Sequence, residues 1–409
     1  MNATYLTAKP NLLTASPWLQ IALLIFSSTN PLQAEKPNQN LLFRGNFANS
    51  LHRFEKEKKG HVAFMGGSIT EMNGYRPILC EWLEKRFPET AFTFTNAGIS
   101  STCSTTGAFR LERDVLSHGP VDLFFLEFAV NDDQDAGHTR EAAQRGMEGI
   151  LRHVRTHNPR ADVVVTYFVN PSMLALLQKD KQPLPMAAHE GVLNHYDVSA
   201  VHLAKELAER INAGSFTWAK FGGTHPKKPG NQLAAALAGS LLEAGWKKAS
   251  AKKPAPHPLP NKLFQPHSYV KGRFLSPGKA MLERGWKWSE PDWSNLRGGK
   301  RGRYLGKPLL HVDGPGGSAT LTFEGSVIGA FVLAGPDAGI VNYSIDGGKI
   351  QSLNLHHRYS AGLHYPRSVI FAHDLKPGKH VIRLSSSKKK HPDSSGHAVR
   401  ILQFCVNAP

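Results

Sequence analysis

The sequence predicts an α/β layer followed by an all-β sandwich. Three observations carry that expectation. Strand-like and helix-like runs alternate from residue 61 to residue 246, the pattern of a parallel sheet between helices. A run with four prolines, ASAKKPAPHPLPN at 249–261, favours extended backbone and marks a boundary. Beyond it the chain changes to short alternating runs closed by glycine-containing turns. With 409 residues the chain is too long for one ordinary core. We therefore divide it into a leader at 1–34, an α/β domain at 35–248, a linker at 249–261 and a β-sandwich domain at 262–409.

The elements follow in order. The leader has a weakly basic start at Lys9, the apolar stretch WLQIALLIF at 18–26, and PLQA before Glu35. That suits a secretory signal cut after Ala34, and so a secreted or periplasmic protein. The stretch is short for a bilayer and no later one approaches that length, so no membrane span is expected. VAFMGG reads as a strand, and RPILCEWLEKRF at 76–87 carries a helical stripe of Ile78, Leu79, Trp82, Leu83 and Phe87. AFTFTNAG is a second strand, and the nearly continuous apolar run VDLFFLEFAV at 121–130 a strand covered on both faces. Residues 140–158 repeat the helical period, and ADVVVTYFV at 161–169 is another buried strand. Tyr196, Ala200, Leu203, Leu207 and Ile211 line one face of a further helix. In the second half, SATLTFEG, SVIGAFVLAG, GIVNYSIDGG, KIQSLNL and HVIRLSSS are strands, and SIDGGK a hairpin turn.

Composition narrows the partners. The formal charge is +17, which draws anions: acidic or sulfated polysaccharide, or an anionic envelope. From Leu263 to Pro409 there are 20 Lys and Arg against 9 Asp and Glu, so most of the excess lies in the second half. No nucleic-acid module is visible, so no nucleic-acid partner is expected. Three cysteines make no disulfide framework; either Cys80 and Cys103 form one bridge or all are buried free thiols. No cysteine pair has zinc-ligand spacing, and neither a metal nor an organic cofactor is expected.

The stretch HVAFMGGSITEMNG at 61–74 is the most informative. A strand ends at Gly66-Gly67, and Ser68 sits where the chain turns toward a helix, at the carboxyl edge of the sheet where ligands lie in such folds. Ser68 is either an exposed nucleophile or a helix cap. A phosphate-binding loop is disfavoured because its lysine is missing. Three more stretches supply what a nucleophile needs. TNAGISS puts Gly98 after the second strand, where its amide can meet an oxyanion. FAVNDD puts the Asn131 amide past the third. FGGTHPKKPGN puts His225, a suitable base, in a loop before an apolar helix. Glu127, inside FFLEFAV, needs a partner; Arg76 and Arg110 offer a structural salt bridge, and a place lining the site is the alternative.

Ser in GGSIT, Gly in NAGIS, Asn in VND and His in THP, in that order, resemble the SGNH hydrolases, or GDSL esterase/lipase superfamily, over roughly Arg53 to Trp246. The resemblance implies a flavodoxin-like three-layer α/β/α fold and acyl-ester hydrolysis. It implies Ser68 as nucleophile, His225 as base, and the Ser68 amide, Gly98 and Asn131 as the oxyanion hole. Two departures stand out. Gly67 replaces the aspartate of GDS, and Gly222 occupies the position, three residues before His225, of the triad aspartate. His225 then works as a dyad with Ser68, or Asp132 or Asp133 supplies the acid, or activity is lost; the dyad is the favoured expectation.

The second half resembles, more loosely, the β-sandwich modules beside carbohydrate esterases. Trp286, Trp288 and Trp293 are candidates for core filling, two of the three, or for stacking on sugar rings. The loops LAGPDAG and HHRYSAGLHYPR are expected to bind ligand or to dock on the first domain and complete its pocket. The expectation is thus a serine esterase acting on an acylated carbohydrate, by preference acetylated. The alternatives are a lipase or general carboxylesterase of the same fold, and an inactive glycan-binding protein.

Overall fold

Lys59–Gly66 (β2) is buried from its second residue on, as are all of Leu123–Glu127 (β4) and Asp162–Thr166 (β5). Continuous burial is what their unbroken apolar runs require. The structure is a computed structural model that describes residues 38–409, so the leader assigned to 1–34 lies outside the described residues. With Leu41–Leu42 (β1), Ala91–Gly98 (β3) and Ser199–Val201 (β6), these strands form a sheet ordered β1-β6-β5-β4-β2-β3. Strands β2 to β6 run parallel and only β1 is antiparallel. Numbered by chain order, the five parallel strands lie 2-1-3-4-5, the flavodoxin-like arrangement.

Two groups of helices cover the sheet. Ala48–Glu55 (α1), Tyr75–Arg86 (α3) and Lys228–Ala249 (α10) pack together in one. Ser104–Asp114 (α4), Arg140–His157 (α5) and Leu184–His195 (α7) pack together in the other. Right-handed crossovers put the two groups on opposite faces. Cys80 lies in α3 and Cys103 at the start of α4, hence on opposite faces, and all three cysteines are free thiols. The remaining helices are Ser68–Glu71 (α2), Pro171–Leu177 (α6), Leu203–Asn212 (α8) and Trp218–Phe221 (α9).

One sequence expectation changes here, and one helix had not been expected. The single helix read through Tyr196 and Ile211 is a short strand, β6, followed by α8. A three-residue strand is too short to show its own period, and its Ala200 coincides with the helical stripe. Helix α4 gave no signal because it is buried almost all round. Ser104, Thr105, Thr106, Gly107 and Ala108 lie inside, between the parallel sheet and the second half of the chain.

That second half is two antiparallel sheets. One is ordered β15-β12-β17-β10-β9, with β7 also on β17; the other is β14-β13-β16-β11-β8. The strands are Gly272–Leu275 (β7), Met281–Leu282 (β8), Lys287–Ser289 (β9), Leu309–Val312 (β10), Gly316–Gly325 (β11) and Val327–Ala334 (β12). Ile340–Ile345 (β13), Gln351–Asn354 (β14), Tyr365–Ala372 (β15), Gly378–Ser386 (β16) and Val399–Asn407 (β17) complete them. The SIDGGK hairpin joins β13 to β14, with positive φ at Asp346 (52°) and Gly347 (71°) as a type I′ turn demands. Ile328, Ala330 and Val332 of β12 enter the core between the sheets, while Val327, Phe331 and Leu333 enter the core of the α/β region. One sheet of the sandwich is therefore covered on both faces, which explains the unbroken apolar run of β12.

Residues Gln39–Pro409 form one compact unit. The proline-rich run is extended but pinned to the α/β region: His257 bonds Asp162 at 2.7 Å, and the Arg152 guanidinium donates to the Pro260 carbonyl at 2.7 Å. Buried Glu148 then accepts hydrogen bonds from the Gln265 amide (2.8 Å) and the Ser268 hydroxyl (2.6 Å). Trp286 is buried in the sandwich core with Trp288 against it, and Trp293 packs on the α/β core.

Candidate active site

In a sheet of this order the chain reverses direction at β2, whose neighbours β3 and β4 lie on opposite sides. The crevice at the carboxyl ends of β2 and β4 is the natural ligand site. Ser68 follows β2 there, Gly98 ends β3, and Asn131 follows β4. His225 arrives in the loop between α9 and α10, and its Nε2 lies 2.7 Å from Ser68 Oγ. Hydroxyl and imidazole thus meet at hydrogen-bonding distance across 157 residues of sequence.

Glu127 does not form the salt bridge expected of it. Its Oε1 accepts from the Gly67 amide (3.0 Å), the Thr70 amide (3.1 Å) and the Thr70 hydroxyl (2.8 Å), clamping both sides of Ser68. Arg110 instead donates to the carbonyls of Ala97 and Gly66, and Arg76 to Thr70 and Asn73. Burial raises the Glu127 pKa to about 7 against the lowering effect of these hydrogen bonds.

The two glycine departures have steric reasons. A Cβ on Gly67 would stand 2.1 Å from Asn131 Oδ1, so the absent side chain lets Asn131 lie against the Ser68 turn. Gly222 has φ +107°, and a Cβ there would stand 2.2 Å from the Lys227 backbone nitrogen. No aspartate fits at 222 in this loop.

Nor do the neighbouring acids reach His225. Asp132 is fully buried and accepts from the Ser104 amide (2.8 Å), the Ser104 hydroxyl (2.7 Å) and His189 Nε2 (2.8 Å). His138 forms an ion pair with it at 3.4 Å. Burial alone would raise the Asp132 pKa, but the two histidines hold it well below the carboxylate range. Asp133 accepts from Asn170 (2.8 Å) and Ser172 (3.2 Å). Among the described residues, Ser68 is the only side chain hydrogen-bonded to His225.

The proposed oxyanion donors are differently engaged. The Ser68 amide, at the start of α2, has no partner among the described residues. The Gly98 amide donates to Asn96 Oδ1 at 3.0 Å. Asn131 spends one N–H on Asp135 at 2.8 Å and keeps the other.

The other half of the pocket comes from the sandwich, and only its loop HHRYSAGLHYPR was visible in advance. The pocket at Ser68 and His225, about 570 Å³, is walled by Arg301, Arg358, Tyr359 and Tyr365. Arg301 donates to the Ser100 carbonyl (2.5 Å) and the Ser101 hydroxyl (2.8 Å). Arg303 pairs with Glu71, and Arg358 donates to the Gln134 carbonyl. The Tyr365 hydroxyl donates to Asp135 at 2.5 Å. No pattern in GGKRGRY singled out Arg301 or Arg303.

Cys103, Asp132 and His138 bring three potential metal-ligand atoms within 4.8 Å of one another, a trio that no sequence spacing revealed. The hydrogen bonds already made to both Asp132 oxygens leave that carboxylate little to offer an ion.

Residues 64–233 match the model of the GDSL-like lipase/acylhydrolase family. Platelet-activating factor acetylhydrolase IB subunit alpha1 of Bos taurus is 29% identical over 160 residues, 38% of this chain and 62% of that protein. The Homo sapiens protein is 29% identical over 168 residues, 40% of this chain and 65% of its own. The chain thus spans less than two thirds of these relatives. The structure of a two-domain esterase (CEX) active on acetylated mannans covers 90% of this chain and 98% of its own, with a TM-score of 0.72 and 20% identity. The same esterase co-crystallised with mannopentaose aligns with a TM-score of 0.71 over 90% of this chain and 97% of its own. Both regions therefore share the fold of that two-domain protein. Over residues 64–233, the chain is similar to the GDSL-like lipase/acylhydrolase family.

Proposed function

We propose that the chain is an exported serine esterase that removes acetyl groups from a polysaccharide or oligosaccharide. The observation that carries this reading is the 2.7 Å contact of Ser68 Oγ with His225 Nε2 at the floor of a wide pocket. Ser68 attacks the ester carbonyl while His225 accepts its proton. The oxyanion meets the free Ser68 amide and the second N–H of Asn131; the Gly98 amide joins them when Asn96 releases it. His225 then delivers the proton to the departing sugar oxygen as the ester C–O bond breaks, and a water deprotonated by His225 attacks the acyl-Ser68 ester and releases acetate. With Gly222 unable to hold an acid, the pair acts as a dyad.

The pocket supports a carbohydrate alcohol over a long acyl chain. Its rim carries guanidinium, hydroxyl and amide groups, with the half-exposed Tyr359 ring offering a face for a sugar. The mannan esterase that shares the two-region fold is in keeping with this, and an acidic saccharide would suit the +17 charge. We keep 35–248 and 262–409 as the two domains, joined by 249–261 and working on one pocket. The test is acetate release from a panel of acetylated polysaccharides by the mature protein beside Ser68→Ala. Release abolished in the variant is expected. Hydrolysis confined to long-chain esters would replace this reading with a lipase, and tight glycan binding without turnover would replace it with a binding protein.

A further inference from the structure

Behind the Ser68 pocket lies a second cavity of about 310 Å³, within the size range of small-molecule sites. Ser101 and Asp135 line both, so the two are contiguous. The second cavity sits between α5 and β15, and each contributes an arginine, Arg145 and Arg367.

Neither guanidinium has a carboxylate partner among the described residues. Arg145 Nε is buried without a hydrogen bond. Arg367 makes one long contact, 3.5 Å, to the Leu355 carbonyl. Burial pushes the Arg367 pKa below its ordinary value. Arg145 and Arg367 are half-buried, whereas the fully buried arginines are each partnered: Arg155 donates to the Tyr196 and Pro258 carbonyls. Arg400 pairs with Asp313 and Asp337, and Arg110 with Asp114. Holding two half-buried guanidinium groups on one cavity without a counter-charge carries a cost. The acidic groups on the cavity wall are occupied. Asp135 accepts from Tyr365 and Asn131. The Cys103 thiol faces His138, whose charge lowers the thiol's pKa although burial alone would raise it. Among the described residues, no carboxylate on the cavity wall is left for the two guanidinium forks.

We propose that Arg145 and Arg367 form a subsite for an oxyanion substituent, a carboxylate or a sulfate ester, on the saccharide whose acetyl group is presented to Ser68. This rests on the esterase reading of Ser68 and His225. A sugar bearing its ester at Ser68 places its neighbouring ring across Ser101 and Asp135, into the second cavity.

The test compares matched substrates on the full chain. One pair is an acetylated uronate-bearing oligosaccharide and its carboxyl-reduced counterpart. The other is an acetylated sulfated oligosaccharide and its desulfated counterpart. The wild type is expected to show kcat/KM at least about tenfold higher for one anionic member than for its neutral partner, the size of a charge-assisted hydrogen bond. The pair that discriminates identifies the anion. Arg367→Gln and, separately, Arg145→Gln are expected to bring that ratio to near one through KM, while Arg367→Lys retains part of it. Both Gln variants are expected to melt no lower than the wild type, because they remove a half-buried charge that has no carboxylate partner; if one fails to fold, the other gives the same readout. Equal rates on charged and neutral partners in the wild type would overturn the subsite and leave the esterase intact. A preference that survives both Gln variants would overturn it too. Failure to hydrolyse even the neutral acetylated partners would instead remove the esterase reading, and the subsite with it.

Discussion

The two walls of the Ser68 pocket are built by opposite means. The α/β wall consists of short turns at a sheet edge, each clamped by a buried carboxylate: Glu127 under Ser68, and Asp132 between Ser104 and His189. The sandwich wall consists of long loops whose arginines reach some 200 residues back to the carbonyl and hydroxyl groups of the first wall. The first wall holds its turns by several short hydrogen bonds to buried carboxylates, the fixed positioning that bond-making needs. The second supplies charge and shape, as recognition needs. Changes to the first should therefore act on turnover or folding, and changes to the second on KM for large substrates.

The largest effect tests the first wall. Ser68→Ala and His225→Ala are each expected to lower kcat on acetyl esters by roughly 10³-fold or more with folding intact. Asp132→Ala is expected to cost about 3–5 kcal/mol of stability, because it leaves the largely buried His138 charge without its carboxylate partner. Chemical denaturation measures this. An Asp132→Ala protein with unchanged stability and no turnover would return Asp132 to catalysis.

Glu127 comes next and carries a pH dependence. Its pKa is about 7 in the fold against an ordinary 4.5. Between these values the unfolded chain has released the proton and the folded chain still holds it, so the contribution to stability falls as pH rises. Glu127→Gln is expected to gain about 3 kcal/mol relative to the wild type from pH 4.5 to 7. Denaturation midpoints across that window check it, and parallel curves would show that Glu127 does not titrate there.

On the second wall, Tyr365→Phe removes the hydrogen bond to Asp135. A rise of a few-fold in KM for acetylated oligosaccharide is expected, with kcat changed less; equal losses in both would place Tyr365 with the chemistry. Smallest of all, Asp133→Ala should leave turnover within about twofold, since its partners are Asn170 and Ser172. A hundredfold loss there would end the dyad reading.

Much of the first wall could be read directly from the chain. Continuous apolar runs at β4 and β5 disclose strands covered on both faces, and the order of Ser68, Gly98, Asn131 and His225 follows the ends of successive elements. The α4 helix escaped because its buried positions hold serine, threonine and glycine in place of an apolar stripe. Glu127 was recognised as a buried carboxylate needing partners, but two of its three donors are backbone amides, which leave no mark in side-chain identity, and the third is the uncharged Thr70 hydroxyl.

What the sequence alone determined is what repeats locally: strand and helix periods, the type I′ hairpin at Asp346-Gly347, and the residue types a nucleophilic site requires. Tertiary structure decided the rest. It decided that Gly222 is left-handed and shut to an acid, that Asp132 serves the scaffold, and that Arg301 and Tyr365 of the sandwich close the pocket. It also decided that Arg145 and Arg367 line one cavity without a carboxylate partner among the described residues. The reason is physical. Local patterns record which face of an element is buried, whereas the pairing of groups 100 to 230 residues apart depends on how the layers meet, and no local period encodes that.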